Sequence, residues 1–392
     1  MFSYKYLIVG SGMTADAAVR GIRSIDQQGS IGMIGEESDP PYSRPLLSKG
    51  LWKGRPLESV WRRTPAEALT LHLGHKVISL NAGDRQVVDE QGQTCQGEKL
   101  LLATGGTPRR LPYGDEDIIY FRTLADFKRL HEMTTQMERF AIIGGGFIGS
   151  EIAAALAMNG KRVSMLFPEE GIGALVYPQD VSRFLNGFFR EKGVEVLAGE
   201  KLSGVEKRLD EHILKTSNGR EITAQAVVAG IGLLPNLDLA KAAGLPTGNG
   251  IVVDQYLLTS HPGIYAAGDV AEFFNPALGK RMRVEHEDNA NTMGQQAGRN
   301  MAGASEPYLH LPFFYSDLFE LGYEAVGELN VNSTIVADWK EPYRTGVLYY
   351  LKEGRVRGVM LWNVWKKIDA ARQLINDPGP FTPENLIGRL GY

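Results

Sequence analysis

The feature of this sequence that most restricts its fold is a pattern that occurs twice. Tyr6-Leu-Ile-Val-Gly10-Ser-Gly12-Met-Thr-Ala15 runs into Asp16-Ala-Ala-Val-Arg-Gly-Ile, and Phe140-Ala-Ile-Ile-Gly144-Gly145-Gly146-Phe147-Ile-Gly149 runs into Ser150-Glu151-Ile-Ala-Ala-Ala-Leu. Each reads as a buried strand, a glycine turn and a helix of small residues. The first glycine permits the bend and the second lets the backbone approach a pyrophosphate. The third position, Ala15 or Gly149, lets helix and strand pack closely. The helix N-terminus then offers N–H groups and a positive dipole end to the phosphates. Two such turns predict an α/β chain with two Rossmann-like dinucleotide-binding folds.

The residues downstream strengthen both readings. Ile31-Gly-Met-Ile-Gly35 leads to Glu36, 26 residues beyond Gly10, and Lys161 to Pro168 leads to Glu169, 25 residues beyond Gly144. An acid at this distance accepts hydrogen bonds from ribose hydroxyls. Two such sites in one chain point to a flavin in one and a nicotinamide nucleotide in the other. Lys99 to Pro108, Ala226 to Asn236 and Gly263 to Val270 are three more apolar runs that end in glycine turns. Their order suggests an insertion: residues 1–112 and 245–307 as a discontinuous FAD-binding domain, 113–244 as the NAD(H)-binding domain within it, and 308–392 as a small C-terminal α+β domain. In the last, a hairpin is expected around Glu353-Gly354 and an amphipathic helix over Val364 to Ile375.

Composition narrows the chemistry. The chain has 46 glycines in 392 residues, roughly 19 above average usage, and the glycine turns account for many of them. It has one cysteine, Cys95, so an intrachain disulfide, a CxxC pair, a four-cysteine zinc site and a cysteine-ligated iron–sulfur cluster are all excluded, and no metal site is expected. A net charge of −4 and short, interrupted basic pairs argue against nucleic acid as a partner. No apolar run reaches the length of about 18 residues needed for a membrane helix, and a cytoplasmic location is expected.

These residues carry a family resemblance across the whole chain. Gly10-Ser-Gly12, Ala103-Thr104-Gly105, Gly144 to Glu151, Val228 to Asn236 and Gly268-Asp269 resemble the flavoprotein reductases with two dinucleotide-binding domains. Pro41-Tyr-Ser-Arg44-Pro-Leu-Leu-Ser-Lys49 resembles the flavin loop of their ferredoxin-reductase branch. Ala103 to Arg109, Leu166-Phe-Pro-Glu169, Arg283-Val-Glu285-His286 and Gly322 to Gly327 are similar to apoptosis-inducing factor and its bacterial relatives. Monodehydroascorbate reductases share the Arg-Val-Glu-His block. The disulfide-reductase branches place a cysteine pair where this chain has none.

The resemblance implies a glutathione-reductase-like arrangement and roles for particular residues. On the FAD side it implies Gly10, Gly12, Ala15, Glu36, Arg44, Lys49, Ala103, Thr104, Gly105, Gly268, Asp269, Glu285, His286 and Tyr315; Tyr315 takes the place of a tryptophan in the animal proteins. On the NAD side it implies Gly144, Gly146, Phe147, Gly149, Glu151, Glu169 and Gly232. Lys49 is expected near the flavin N5 and paired with Glu151, with Phe147 and His286 bordering the reacting rings. Apart from the resemblance, Lys49 and Arg44 read as surface cations and Glu151 as a first-turn helix acid. The helix from about Asp288 to Met301 is expected to aim its N-terminus at the flavin N1/O2 edge. A carboxylate at Glu169 disfavours a 2′-phosphate, so NADH is expected over NADPH.

The expected activity is therefore an FAD-dependent NADH oxidoreductase. Hydride passes from nicotinamide C4 to flavin N5, and electrons then pass to a ferredoxin- or rubredoxin-type protein, a quinone or another acceptor, without a redox disulfide. Two alternatives remain open at this point: a redox-sensing protein with slow turnover and a stable reduced flavin–NAD charge-transfer complex, and a monodehydroascorbate-type radical reductase. A homodimer is also left open.

Overall fold

The computed structural model describes residues 1–114 and 117–392. The chain separates into two compact units, each made of three stretches: residues 1–44, 57–107 and 234–312 in the first, and 45–56, 108–233 and 313–392 in the second.

The first unit is built on the strand Phe2–Val9, whose last four residues are buried. It lies between Ile31–Gly35 and Thr94–Leu102, parallel to both, with Tyr6 opposite Ile31 and Val9 opposite Leu102. Leu69–Leu73 extends the sheet on one side and Ile264–Ala266 on the other, also in parallel. A parallel sheet is covered on both faces, which is why Ile31–Gly35 is buried throughout instead of alternating. The meander Val77–Asn81, Gln86–Asp89 branches antiparallel from the start of Thr94–Leu102. Cys95 lies in that strand, fully buried.

The glycine-turn helix Met13–Arg23 packs on Glu287–Met301, and glycine sets how closely. A Cβ on Gly21 would collide with Gln295 O, one on Gly294 with Thr14 O, and one on Gly298 with Ala18 O. Part of the glycine surplus therefore serves helix–helix contact, not nucleotide contact.

The second unit repeats the theme. Its parallel sheet has the order Val194–Ala198, Arg162–Phe167, Arg139–Ile143, Ala226–Ala229, Ile119–Tyr120. The chain winds to one side of Arg139–Ile143 and then to the other, so a topological switch point lies beside that strand, where such folds bind ligands. Three antiparallel strands, Leu202–Arg208, Glu211–Thr216 and Glu221–Ala224, complete this part.

The C-terminal stretch of the same unit is an antiparallel sheet in the order Phe313–Leu318, Leu321–Gly327, Arg355–Trp362, Thr345–Lys352, Thr334–Glu341. The expected hairpin is present, with Lys352 opposite Arg355. Its two turn residues, Glu353 and Gly354, have φ of +54° and +72°, the pattern of a type I′ turn. The helix of this stretch is Ile368–Asn376, four residues later than the apolar spacing predicts at its start. Asn363 and Lys366 adopt φ of +48° and +64°, and left-handed residues cannot propagate a right-handed helix. The architecture is thus two Rossmann-like folds with a C-terminal α+β element.

Candidate active site

Both glycine turns have the same geometry, reached independently in the two units. Gly10 has φ +118° and Gly144 φ +112°. A Cβ on Gly10 would strike Ala103 O, and one on Gly144 would strike Gly230 O, so each turn is pressed against the strand across the switch point. Gly149 likewise has no room for a Cβ beside Gly144 O, and Ala15, its counterpart, is fully buried.

Gly12 and Gly146 differ. Each is the N-cap of its helix in an extended conformation, no side chain caps either helix, and a Cβ on either would meet nothing within 4 Å. A helix start with no capping side chain and open space before it is what a pyrophosphate requires. The residues present therefore fit a dinucleotide in each unit.

In the first unit, the turn Ala103-Thr104-Gly105 is tied to Asn236. Asn236 Nδ2 donates to Thr104 O at 2.8 Å, Thr104 Oγ1 donates to Asn236 O at 3.1 Å, and Asn236 N donates to Gly105 O at 3.0 Å. Sequence reasoning gave Asn236 no role. Arg44 is ion-paired with Glu37, donates to Tyr42 Oη at 2.9 Å, and feels the charge of Asp269. The neighbour of Glu36, overlooked in the sequence, is thus the one that holds Arg44. Glu36 itself follows Ile31–Gly35, is two-thirds exposed, and pairs with Lys76 at 3.0 Å. Gly268 opens a short 3₁₀ turn that contains Asp269, with φ +77° and no room for a side chain beside Thr14. Arg283 pairs with Glu285 and donates to Asp269 O at 3.0 Å, and His286 is the N-cap of Glu287–Met301.

The second unit holds the remaining residues, and it groups Lys49 and Tyr315 with the nicotinamide-side set. Lys49 Nζ lies 2.8 Å from Glu151 Oε2, with the two side chains 13% and 3% exposed. Ser48 Oγ donates to the same oxygen at 2.6 Å, and Ser316 Oγ donates to the other, Oε1, at 2.6 Å. A buried carboxylate survives only when its lone pairs are used, and here three donors from two distant segments use them. Lys49 Nζ also stands 5.2 Å from the centre of the Tyr315 ring.

Behind this cluster lies an aromatic layer that the sequence did not announce. Phe147 packs on Phe314, Tyr323 stacks on Trp362 at 5.7 Å and 5°, and Tyr177 Oη donates to Tyr323 Oη at 2.9 Å. Burial, with the nearby Glu151 charge adding to it, pushes both phenols above their ordinary range, so they act as neutral hydroxyls. Glu169 follows Arg162–Phe167, half-buried, and its carboxylate has no partner among the described residues. Gly232, at φ +99°, accepts from Arg109 N at 3.0 Å.

The chain is similar to proteins of known class along most of its length. Residues 4–294 match the family Pyridine nucleotide-disulphide oxidoreductase, and residues 297–340 and 330–377 match Apoptosis-inducing factor, mitochondrion-associated, C-term. The chain is 32% identical to apoptosis-inducing factor 1, mitochondrial, of Dictyostelium discoideum, over 95% of this chain and 78% of that protein. It is 31% identical to putidaredoxin reductase of Pseudomonas putida, over 97% of this chain and 94% of that one. Among solved structures, the covalent putidaredoxin reductase–putidaredoxin complex superposes with a TM-score of 0.91 at 31% identity, covering 98% of this chain and 95% of the other.

Proposed function

The chain belongs to the pyridine nucleotide-disulphide oxidoreductase family and is an FAD-dependent NAD(P)H oxidoreductase, and on that premise we propose that it takes electrons from NADH and gives them to a ferredoxin-type protein. The observation that carries this reading is the near-full-length likeness to a reductase named for such a partner, in a chain whose single cysteine is sealed in a core. Burial raises the Cys95 thiol above its usual value, so it forms thiolate reluctantly. No dithiol can relay electrons.

In this reading FAD is held by residues 1–112 and 245–307 and NADH by 113–244. FAD, when bound, accepts a two-electron hydride and releases electrons singly. The chain's own residues bind and orient. The turns at Gly10, Gly12 and Ala15 and at Gly144, Gly146 and Gly149 seat the two pyrophosphates. Glu36 takes the adenosine ribose, Asp269 the ribityl chain, and Ala103, Thr104, Gly105 and Gly268 the flavin's backbone contacts. Arg44, Lys49, Tyr315, Glu285 and His286 border the flavin, while Phe147 and Gly232 border the nicotinamide. Glu151 fixes the Lys49 ammonium so that its charge is held in place beside the ring and partly offset.

Preference for NADH rests on Glu169, whose carboxylate accepts from both ribose hydroxyls and repels a 2′-phosphate. The two cations at the start of the strand Arg162–Phe167 do not compensate. Lys161 is held by Glu138 at 2.9 Å, and Arg162 starts the strand that Glu169 follows, roughly 20 Å away at 3.3 Å per residue.

The match of the C-terminal residues to the apoptosis-inducing factor family favours a second reading, a slow redox sensor. One experiment separates them. Purified protein is titrated anaerobically with NADH or NADPH and then mixed with putidaredoxin, a quinone or enzymatically generated ascorbate radical. Bleaching of the flavin at lower NADH than NADPH, then reoxidation by putidaredoxin within the turnover time, is expected. A reduced complex that persists for minutes with every acceptor would assign the sensor role. A cytoplasmic setting belongs to the same reading; no helix among the described residues is long and apolar enough to cross a membrane.

A further inference from the structure

Trp365 is the most exposed of the five tryptophans, at 48%. It sits in the loop between the strand Arg355–Trp362 and the helix Ile368–Asn376, and Asn363 ties the start of that loop to its neighbours. Asn363 N donates to Gly322 O and Gly322 N donates to Asn363 Oδ1, both at 2.8 Å, while Asn363 Nδ2 donates to Arg344 O at 3.0 Å. The indole lies on Gly322, where a Cβ would come within 2.9 Å of the ring. A large apolar ring is therefore fixed at the surface without being covered, by a loop with two left-handed non-glycine residues.

The acids near the ring are engaged, Asp317 with Lys53, Glu324 with the Lys366 N–H and Asp369 with Arg372, which leaves the two lysine ammonium groups beside it. Lys366 and Lys367 follow Trp365, and neither ammonium forms an ion pair with a described residue. The segment Trp362 to Ile368 contains no acid, in a protein whose net charge is −4. Most interface energy comes from such aromatic anchors, and surrounding charge selects the partner and speeds encounter.

The patch also continues into the site already described. Gly322 is opposite Asp317, and Glu324 is opposite Tyr315, so these four residues share the sheet face on which Trp365 rests. Asp317 is paired with Lys53 at 2.8 Å, and the Tyr315 ring lies under Lys49. Tyr315 and Asp317 are two residues apart on one strand, a step of about 7 Å. A single sheet face thus leads from Lys49 to the exposed indole.

We propose that Trp365, with Lys366 and Lys367, is the docking patch for the acidic surface of the small one-electron protein that this enzyme reduces. The proposal deepens the reading of the acceptor given above and rests on it. Each docking event moves one electron, reducing one ferric ion of the partner to ferrous, so one NADH yields NAD⁺, a proton and two reduced partners.

The test uses the FAD-loaded full chain with Trp365→Ala and, because the indole packs on Gly322, the pair Lys366→Glu/Lys367→Glu, one exposed and one half-buried lysine, neither with an ion pair to a described residue. Both variants are expected to bleach with NADH and to reduce ferricyanide within twofold of the parent. With putidaredoxin as the probe, Trp365→Ala should raise KM about tenfold. The charge-reversed pair should do so at least as strongly and should flatten the salt dependence of kcat/KM. An unchanged KM in both variants, with the parent active, overturns the docking patch and leaves the acceptor reading intact. A parent that reduces no ferredoxin overturns both. Concentration-dependent self-association that disappears in Trp365→Ala would assign the patch to a second copy of the chain and overturn the proposal.

Discussion

Removing one hydroxyl tests the construction of the Glu151 site. Ser316 Oγ is the partner of Glu151 Oε1, while Oε2 has both Ser48 and Lys49. Glu151 is 3% exposed and Ser316 is 1% exposed, so water reaches the vacated position poorly. Ser316→Ala leaves half of a buried carboxylate without a donor. A hydrogen bond to a charged group is worth about 1.5–3 kcal/mol, against about 1 kcal/mol for a neutral one. The loss in unfolding free energy is therefore expected at about 1.5–3 kcal/mol in the parent, and below about 1 kcal/mol when Glu151 is already Gln.

The double-mutant cycle is measured by urea denaturation, and Ser316→Thr should recover most of the loss. Since Glu151 fixes Lys49, the same substitution should slow flavin reduction by NADH about tenfold or more, the equivalent of roughly 1.4 kcal/mol in the barrier. A cost below about 0.5 kcal/mol, or an equal cost in both backgrounds, would refute the reasoning that Oε1 depends on Ser316.

Two other substitutions probe separate parts of the structure. Gly12→Ala places its Cβ in open space at φ −88°, so the fold should melt within a few degrees of the parent while FAD affinity drops; retention of full affinity, read by flavin release on dilution, would contradict the pyrophosphate seat. Glu324 is pushed up by burial, only partly relieved by the Lys366 N–H, so its ionised form costs the folded state. Its favourable contribution is present at acid pH, below the ordinary carboxylate value, and is lost as pH rises through the raised one. Glu324→Gln should match the parent in urea midpoint near about pH 4 and exceed it near about pH 7, and a constant difference across that range would count against this assignment.

What was legible in the sequence was local. The glycine turns, the helix that begins at Glu287 and the Glu353-Gly354 hairpin each declare themselves within a short window, because φ and periodicity are local properties. What escaped was made by contact across the chain. Ser48 and Ser316 stand 103 and 165 residues from Glu151, and neither serine has a distinctive spacing. Tyr177 meeting Tyr323 across 146 residues, and Asn236 holding the turn at Thr104, are invisible for the same reason. Glu37, adjacent to the residue chosen for ribose binding, could have been found by asking what Arg44 would pair with.

The chain passes from one unit to the other five times. That itinerary governs how the protein is made. Domains generally fold as units, N-terminal first, while the ribosome is still adding residues. Here the helix Met13–Arg23 is complete very early, yet the helix that covers it, Glu287–Met301, emerges some 260 residues later. Glu151 likewise waits for Ser316. During synthesis the first glycine turn is present as an unfinished half, its apolar face bare, and a chain that stops anywhere before about residue 312 completes neither unit.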